Sequence, residues 1–289
     1  MQWSPVGNAG NANDPATGNL YGGVGYNYNI GTYDVTNSQY AEFLNTKDPT
    51  GANTLVLWNI YMADATNGGI NFNAGNANGG KYTLISGAQN HPVNFVSWYD
   101  TIRFANWLGN GQGSGDTENG AYTLLGGTPT PSNGSSITRN AGATVFVPSD
   151  SEWYKAAYYD PNSSTYNLYP TSSNTTPTAS GPTALPNHAN FVPGGPGNLT
   201  DVGAYSGTMS PYGAFDMGGN VFQWNEALIF NSARGLRGGS FYDFSDFLQS
   251  SVRYNFNPSG EVVNIGFRVA STVPEPSTGV LAVIACGMM

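Results

Sequence analysis

Apolar residues recur at helical spacing in three short segments of the chain. Positions i, i+3 and i+4 lie on one face of an α-helix, so each segment predicts a short helix with one buried face. The residues concerned are Tyr40, Phe43 and Leu44, then Ile102, Ala105 and Leu108, and finally Trp153, Ala156 and Ala157.

Each of these segments follows a residue pair suited to capping a helix. In such a pair the hydroxyl accepts from the backbone of the third helical residue, whose own side chain reaches back. The pairs are Thr36 with Gln39, Ser97 with Asp100, and Ser149 with Glu152. We therefore expect three helix starts at these points, and Gly109 as the C-cap of the second helix.

The remaining chain alternates short β-prone runs with connections rich in Gly, Asn, Pro and Ser. This pattern predicts an α+β fold with short helices, short antiparallel strands and much irregular structure. Asn- and Gly-rich stretches at 66–80 and 162–182 are expected to be surface insertions. The β-prone runs are YNYNIGTYDV, ATVFVPS, GLRGGSF and NIGFRVAS.

Composition narrows the classes of function. The 289 residues suffice for a sizeable core, yet only 9% are charged and the net charge is −9. Because nucleic-acid binders carry a basic patch, we exclude nucleic acid as a partner. The many Gly, Pro and Tyr residues are typical of a loop-rich extracellular protein whose packing relies on aromatic rings.

Residues able to perform catalysis are scarce. The one cysteine, Cys286, lies in an apolar tail, so the globular part has no thiol nucleophile and no CxxC motif. His91 and His188 lack a metal-ligand partner at helical spacing, and we expect a structural hydrogen bond for His91. Ser240 has no Ser-His-Asp signature around it, so we do not assign it as a nucleophile.

The end of the chain, VPEPSTGVLAVIACGMM, changes composition abruptly. As a helix, residues 279–289 would rise only about 16 Å against about 30 Å of hydrocarbon, which predicts the beginning of a membrane anchor rather than a span. The Pro-Glu-Pro box at the start of this tail and the uncharged run at 279–289 resemble the sorting tail of exosortase-processed (PEP-CTERM) proteins. That resemblance implies export to the cell surface or extracellular space, processing by exosortase-type machinery, and membrane contact through the tail alone.

The two ends bear on the domain organisation. We assign residues 1–271 to a single domain, 272–278 to the Pro-Glu-Pro box and linker, and 279–289 to a truncated anchor. The start, MQWSPVGNAGN, has neither a basic nor an apolar signal segment. Either the start of an exported precursor lies upstream of this sequence, or the expectation of export is wrong.

Six segments, in order, resemble one family, the formylglycine-generating-enzyme or sulfatase-modifying-factor family. The resemblance extends from about residue 20 to residue 271 and implies an elaborated C-type-lectin-like fold. The segments are YNIGTYDVTNSQYAEFLN (28–45), HPVNFVSWYDTIRFANWLG (91–109), VFVPSDSEWYKAAYYDP (145–161), YGAFDMGGNVFQWNE (212–226), LRGGSF (236–241) and NIGFRVAS (264–271).

The resemblance also implies where catalytic residues would lie. Oxidases of the family hold copper with two cysteines that follow a Gly-Gly-Ser triplet, here ending at Ser240. The matching positions are Asp243 and Leu248, or Ser245 if the second is counted back from Arg253. Copper(I) requires soft thiolates, so we expect no copper. The histidine ligands of the family's iron enzymes are missing too, and we expect no iron.

The family carries calcium as well, bound by carbonyl and side-chain oxygens. Gln replaces the usual Glu at the first site and a downstream Asp is missing at the second, so we expect at most one weak calcium ion, near Asp216. Alternatively, Asp216 and Asn220 only bond loop backbone. The implied ligands are Asp216, the Gly219 and Val221 carbonyls and Gln223, and, at the second site, Asn190 and the Phe191 carbonyl.

A ligand-binding groove is expected just after the Gly-Gly-Ser triplet. Aromatic rings there offer stacking faces and acids offer acceptors for a peptide or a glycan. Alternatively, Phe241, Phe244 and Phe247 pack against the body. For Arg237 and Arg253 a structural role is favoured, and Trp98, Trp107, Trp153 and Trp224 are expected in the core. The groove residues are Tyr242, Asp243, Phe244, Asp246, Phe247 and Arg253.

Three functions remain open. The favoured one is an exported, non-catalytic binding module for an extracellular polysaccharide or protein ligand. The second is a metal-dependent oxidoreductase of the family with altered copper or non-haem iron chemistry. The third is a retroelement-diversified ligand-display protein, a class that uses the same fold and varies side chains near its C-terminal end.

Overall fold

The three predicted helices begin at their predicted caps. The computed structural model describes residues 1–273, in which α1 spans Asn37–Lys47, α2 spans Trp98–Gly109 and α3 spans Asp150–Tyr158. Each follows a complete capping box, with both reciprocal side-chain-to-backbone bonds formed. The expected end of α2 is off by one position, because Gly109 is its last residue and Asn110 is the C-cap.

Burial of α2 exceeds the expected single apolar face. Every residue from Trp98 to Trp107 is buried, including the polar side chains of Asp100, Arg103 and Asn106. The amide of Asn106 donates to the carbonyls of Thr117 and Tyr122, at 2.7 and 2.9 Å. The polar face of α2 can therefore be buried, because the loop after the helix supplies hydrogen-bond partners for it.

Short strands make up the rest of the regular structure and confirm the α+β class. One four-stranded sheet has the order β1-β2-β14-β5 and another β12-β11-β10-β13, and three pairs are separate. In the second sheet only the β10–β13 pair is parallel. The strands are β1 Trp3–Val6, β2 Tyr28–Gly31, β3 Ile70–Phe72, β4 Tyr82–Leu84, β5 Val145–Phe146, β6 Tyr159–Asp160, β7 Thr165–Tyr166, β8 Thr178–Ala179, β9 His188–Ala189, β10 Phe222–Ile229, β11 Ala233–Arg237, β12 Tyr254–Phe256, β13 Ile265–Gly266 and β14 Ala270–Thr272.

Aromatic side chains fill the space between the helices and the sheets. Phe104 on α2 lies between Tyr40 and Phe43 of α1, with ring centroids 6.1 and 5.5 Å away, and meets Phe267 at 5.3 Å. Such stacked and edge-to-face pairs add to the free energy of burial. The predicted core tryptophans, Trp98, Trp107, Trp153 and Trp224, are all buried.

The expected surface insertion at 66–80 can be compared with the structure, whereas the expected sorting tail cannot. The stretch 66–80 is largely exposed, but it contains β3, and Ile70 belongs to the core. The predicted Pro-Glu-Pro box beyond Val273 and the anchor at 279–289 lie outside the described residues. Among residues 1–273, no helix has the length and apolar character needed to cross a bilayer.

Candidate functional site

A glycine pair shapes the chain where the predicted groove begins. Gly238 and Gly239 follow β11 with φ of +99° and +68°, in the left-handed region that disfavours side chains. A Cβ at Gly238 would lie 2.8 Å from the Met217 carbonyl oxygen, and one at Gly239 would lie 2.8 Å from a methyl carbon of Leu248. Both glycines are therefore needed for close approach of the chain, not for a ligand.

Aromatic side chains after this turn divide into exposed and packed groups. Tyr242 is 50% and Phe244 60% exposed, whereas Phe241 is fully buried. Half-buried Phe247 packs edge-on against Phe222 and Tyr254, with centroids 6.2 and 6.3 Å away. Packing therefore explains Phe241 and much of Phe247, but not Phe244.

An exposed tyrosine that the sequence did not single out packs against Phe247. Tyr254 on β12 is 46% exposed and stacks on Phe222, with centroids 5.6 Å apart. Asp246, in the short 3₁₀ helix Ser245–Leu248, is exposed too. We call Tyr242, Phe244, Asp246 and Tyr254 the aromatic surface.

Beneath this surface are the two positions where the resemblance would place cysteines. The Ser240 hydroxyl donates to the Asp243 carboxylate, and burial raises the pKa of that carboxyl above its usual range. The Asp243 carbonyl accepts from the Val192 amide at 3.0 Å. Leu248 is completely buried against Tyr169 and neighbouring apolar residues. A hydroxyl–carboxylate pair and a packed leucine offer no soft ligand.

Arg253 of the predicted groove is held by α3. Its Nε lies 2.6 Å from one carboxylate oxygen of Asp150, and Arg237 Nε lies 2.6 Å from the other. Arg237 also donates to the carbonyls of Ser250 and Val252. These contacts fasten the segment after the predicted groove to Asp150, the first residue of α3. Both arginines therefore have the structural role favoured from the sequence.

The Asp216–Gln223 part of the implied calcium site does not fit a cation. The Gln223 side-chain oxygen accepts from Arg268 Nε and Trp153 Nε1, both at 2.6 Å, so both of its lone pairs are used. The Gln223 amide donates to the Asp216 carbonyl, and Asp216 Oδ2 accepts from Gly203 N at 2.6 Å. The expectation for Gln223 is corrected here because a guanidinium already supplies the positive charge.

The second implied calcium position keeps free oxygen atoms. Gly219 lies against Asn190, since a Cβ there would come 2.3 Å from the Asn190 carbonyl oxygen. Asn190 Oδ1 and Thr200 Oγ1 are buried without a hydrogen-bond partner among residues 1–273. The neighbouring Phe191 carbonyl accepts from the Gly195 amide at 2.9 Å and keeps one lone pair. A hard cation here would be held by Asn190 Oδ1 and this carbonyl.

Asn220 forms the hydrogen bonds to loop backbone that were expected as the alternative to calcium binding. Asn220, with φ of +62°, donates to the Thr200 carbonyl at 3.1 Å and accepts from the Thr200 amide at 3.1 Å. Asn220 therefore bonds loop backbone and fixes the loop that carries Thr200. Val221 is buried next to it, in a small cluster with Phe241.

Both histidines contact surface loops away from the aromatic surface. His91 Nε2 lies 3.6 Å from Asp201, and burial lowers the pKa of His91 despite that carboxylate. His188 Nδ1 is 3.0 Å from the Ser180 hydroxyl. In the described part of the chain, no three or more His, Cys, Asp or Glu side chains converge to hold a metal ion.

A second polar cluster was not foreseen from the sequence. The Arg139 guanidinium pairs with Glu152 at 2.6 Å and with Glu226 at 2.7 Å, and it covers the ring of Phe146 at 3.5 Å. Arg139 lies 13 positions before Glu152 and 87 before Glu226, so no local pattern connects them. Glu152 showed only its capping role in the sequence.

Comparisons with known proteins agree with this architecture. Residues 24–273 match the model of the family described as the sulfatase-modifying factor enzyme 1-like domain. Variable protein 1 of Treponema denticola is 20% identical, with a TM-score of 0.60 over 94% of this chain and 95% of its own. CarF is 20% identical, with a TM-score of 0.61 over 95% and 99%. No curated protein sequence matches this chain.

At this level of identity the two structures establish the fold and not the activity. They cover nearly the whole of both chains, so the likeness extends beyond a shared core. The family model covers residues 24–273 and includes all six segments identified in the sequence. The chain therefore belongs to the sulfatase-modifying factor enzyme 1-like family and has its elaborated C-type-lectin-like α+β fold.

Proposed function

We propose that this chain is an exported, non-catalytic member of its family that binds an extracellular ligand through the aromatic surface. One observation carries the proposal. Exposed aromatic rings lie at the part of the chain where the family's oxidases have their copper-binding cysteines, and this chain has no cysteine there. Tyr242 and Phe244 are exposed at the point where Asp243 and Leu248 replace the expected cysteines.

The chemistry of the surface favours a polysaccharide over a protein ligand. Exposed rings present apolar faces to sugar C–H groups, and the Asp246 carboxylate accepts bonds from sugar hydroxyls. The net charge of −9 disfavours acidic polymers through long-range repulsion. A neutral glycan therefore suits the surface best, and a protein ligand is the other outcome of the test.

Export and surface location rest on the resemblance of the tail to exosortase-sorted proteins. The Pro-Glu-Pro box and the apolar run at 279–289 have the composition and order of such a tail. We propose processing by exosortase-type machinery, with membrane contact through this tail. Expression in a host with and without an exosortase tests this, and a tail that stays uncleaved in both hosts argues against it.

A glycan array compared across matched variants tests the binding role. Replacing Tyr242 and Phe244 together by Ala removes two rings that are at least half exposed. Phe230→Ala is the matched control, because Phe230 is 85% exposed at the turn between β10 and β11. We expect binding of at least one neutral glycan by the wild type and the control, and about tenfold weaker binding by the double variant.

Loss of binding in all three proteins, or equal binding by all three, would reject the aromatic surface. Turnover of a cysteine-containing peptide by copper- or iron-loaded protein would reject the non-catalytic assignment and favour the oxidoreductase. A template repeat with a reverse transcriptase beside the gene would favour the display protein, whose diversified positions would then fall on the same surface.

A further inference from the structure

A cavity of about 290 Å³ opens away from the aromatic surface, between the start of α2, the segment 134–139 and the β10–β11 pair. Its walls include Trp98, Ile137, Glu226, Leu228 and Arg234. Leu228 lies six residues along β10 from Phe222, about 20 Å in an extended strand. The cavity is therefore separate from the aromatic surface.

An irregularity in β10 shapes this cavity. Trp224 pairs with Leu236, but Leu228 pairs with Arg234, so the register shifts between Trp224 and Leu228. Bulges of this kind redirect side chains and occur often beside functional sites. Here the bulge places Glu226 beside Arg139 rather than in the regular alternation of the strand.

The negative charge in the cavity is already compensated. Glu226 accepts from Arg139 Nε at 2.9 Å and from the Tyr122 hydroxyl at 2.5 Å. Burial raises the pKa of Glu226 above its usual range despite the arginine. Glu226 therefore provides little attraction for a cationic ligand.

The positive charge of Arg234 is not compensated in this way. The other five arginines of the chain lie within 4 Å of a carboxylate, whereas Arg234 has no carboxylate partner among the described residues. Its guanidinium covers the Trp98 ring at 3.7 Å and donates to the carbonyls of Glu226, Gly134 and Ile137.

Arg234 is only 3% exposed, and its Nε has no partner within residues 1–273. Burial lowers the pKa of Arg234 to about 10, so the side chain stays charged at neutral pH. A buried charge without a counter-ion is unfavourable. Arg234 lines the cavity, so an anion there would be attracted by this charge.

We propose that this cavity binds a small organic monocarboxylate, with its carboxylate on Arg234 and its apolar part against Ile137 and Leu228. One negative charge balances Arg234, whereas a dianion would also face Glu226. The volume equals that of about ten waters at roughly 30 Å³ each, enough for a ring-bearing acid. Pockets that hold small ligands begin near this size.

Three probes with the same ring, similar size and different charge test the proposal: benzoate, benzylamine and benzyl alcohol. Each is titrated into the full chain at pH 7 and followed by saturation-transfer NMR. We expect benzoate to bind and the other two to bind at least about tenfold more weakly, because a hydrogen bond to a charged group is lost. Equal binding of all three, preference for benzylamine or no binding of benzoate would overturn the proposal.

Two variants locate the site. Arg234→Gln removes the charge and is expected to weaken benzoate binding by about tenfold or more. Because Arg234 also bonds three carbonyls, a second variant, Leu228→Trp, narrows the cavity from an exposed position and is expected to weaken binding as well. Phe230→Ala is the control that keeps binding. Unchanged binding in Leu228→Trp would place benzoate elsewhere and reject the site.

Discussion

At the scale of single residues, the carboxylate of Asp34 is buried with an incomplete set of partners. Its Oδ1 accepts from Arg268 at 3.1 Å, and its Oδ2 has no hydrogen-bond partner among residues 1–273. Burial raises the pKa of Asp34 from 3.8 to about 8, which Arg268 only partly opposes. The folded protein therefore holds the Asp34 proton more tightly than the unfolded chain does.

This difference has a definite sign in the dependence of stability on pH. Between about pH 4 and pH 8 the unfolded chain has lost the Asp34 proton and the folded protein retains it, so the free energy of unfolding falls as the pH rises. We expect a smaller fall in Asp34→Asn, measured by urea unfolding from pH 4 to pH 9. Burial also raises the pKa of Asp100 to about 6, so some decline remains.

The slope is the informative quantity in that experiment. Loss of the Asp34–Arg268 contact lowers stability at every pH, but it does not change the slope by itself. Parallel curves for the wild type and Asp34→Asn would show that Asp34 titrates alike in both states and would contradict the prediction.

Gly238 provides a second prediction at this scale. Gly238→Ala meets both an unfavourable φ of +99° and a contact with the Met217 carbonyl, whereas Gly213→Ala meets only an unfavourable φ of +78° with no atom nearby. We expect Gly213→Ala to cost about 1–2 kcal/mol and Gly238→Ala more than that. Chemical denaturation measures both, and equal losses would mean that the Met217 contact relaxes freely.

At the scale of elements, α2 is held by polar contacts with the loop that follows it. Asn106 donates to the carbonyls of Thr117 and Tyr122 and accepts from the Tyr122 amide at 2.8 Å, all in the interior. Its replacement leaves three buried backbone groups without a partner.

We expect Asn106→Ala to lower the free energy of unfolding by more than about 2 kcal/mol, because each buried unpaired group is costly. Asn110→Ala is the matched control, since Asn110 bonds exposed carbonyls of the same loop. We expect a loss of about 1 kcal/mol or less there. Thermal unfolding of both variants measures these losses of stability. Similar losses in Asn106→Ala and Asn110→Ala would show that water replaces the contacts of Asn106.

Elements with a local signal were predictable from the sequence, and elements without one were not. The three helix starts follow from hydroxyl and acidic residues three positions apart, which need no tertiary information. Strand β10 gave no such signal, because Gln223 and Asn225 are fully buried within it. Gln223 is satisfied by Trp153, Asp216 and Arg268, which no local pattern connects with it. Asn225 Oδ1 accepts from Ala227, two residues away. The expected apolar alternation is therefore absent from this strand.

The candidate sites divide in the same way. Tyr242 and Phe244 follow a recognisable glycine pair, and both are exposed as a ligand-binding role would require. The cluster of Arg139 and Glu226, and the cavity beside Arg234, arise from residues far apart in the chain and from a bulge. No spacing rule could have joined them.

At the scale of the whole molecule, calcium is the one ion that the family resemblance still suggests. We expect calcium, if bound, to raise the melting temperature of the wild type slightly, because a weak site stabilises only at high free calcium. The shift should persist in Asp216→Asn and vanish in Asn190→Ala. Each variant is compared with and without calcium, so its own loss of stability cancels.

A calcium shift that depends on Asp216 and not on Asn190 would contradict this assignment. It would mean that the Arg268 guanidinium leaves Gln223 when calcium is present. No shift in any of the three proteins would leave Asp216 and Asn220 with the loop-bonding roles expected as the alternative.

The order of strands in the first sheet determines when that sheet can form during synthesis of the chain. β2 lies between β1 and β14, and the paired residues Asn29 and Ser271 are 242 positions apart. Pairings between such distant segments form late and slow the folding of a chain. A ribosome must therefore release nearly the whole domain before this sheet can close. Until then one edge of β2 has no partner strand, because its neighbour on that side, β14, has not yet been synthesised.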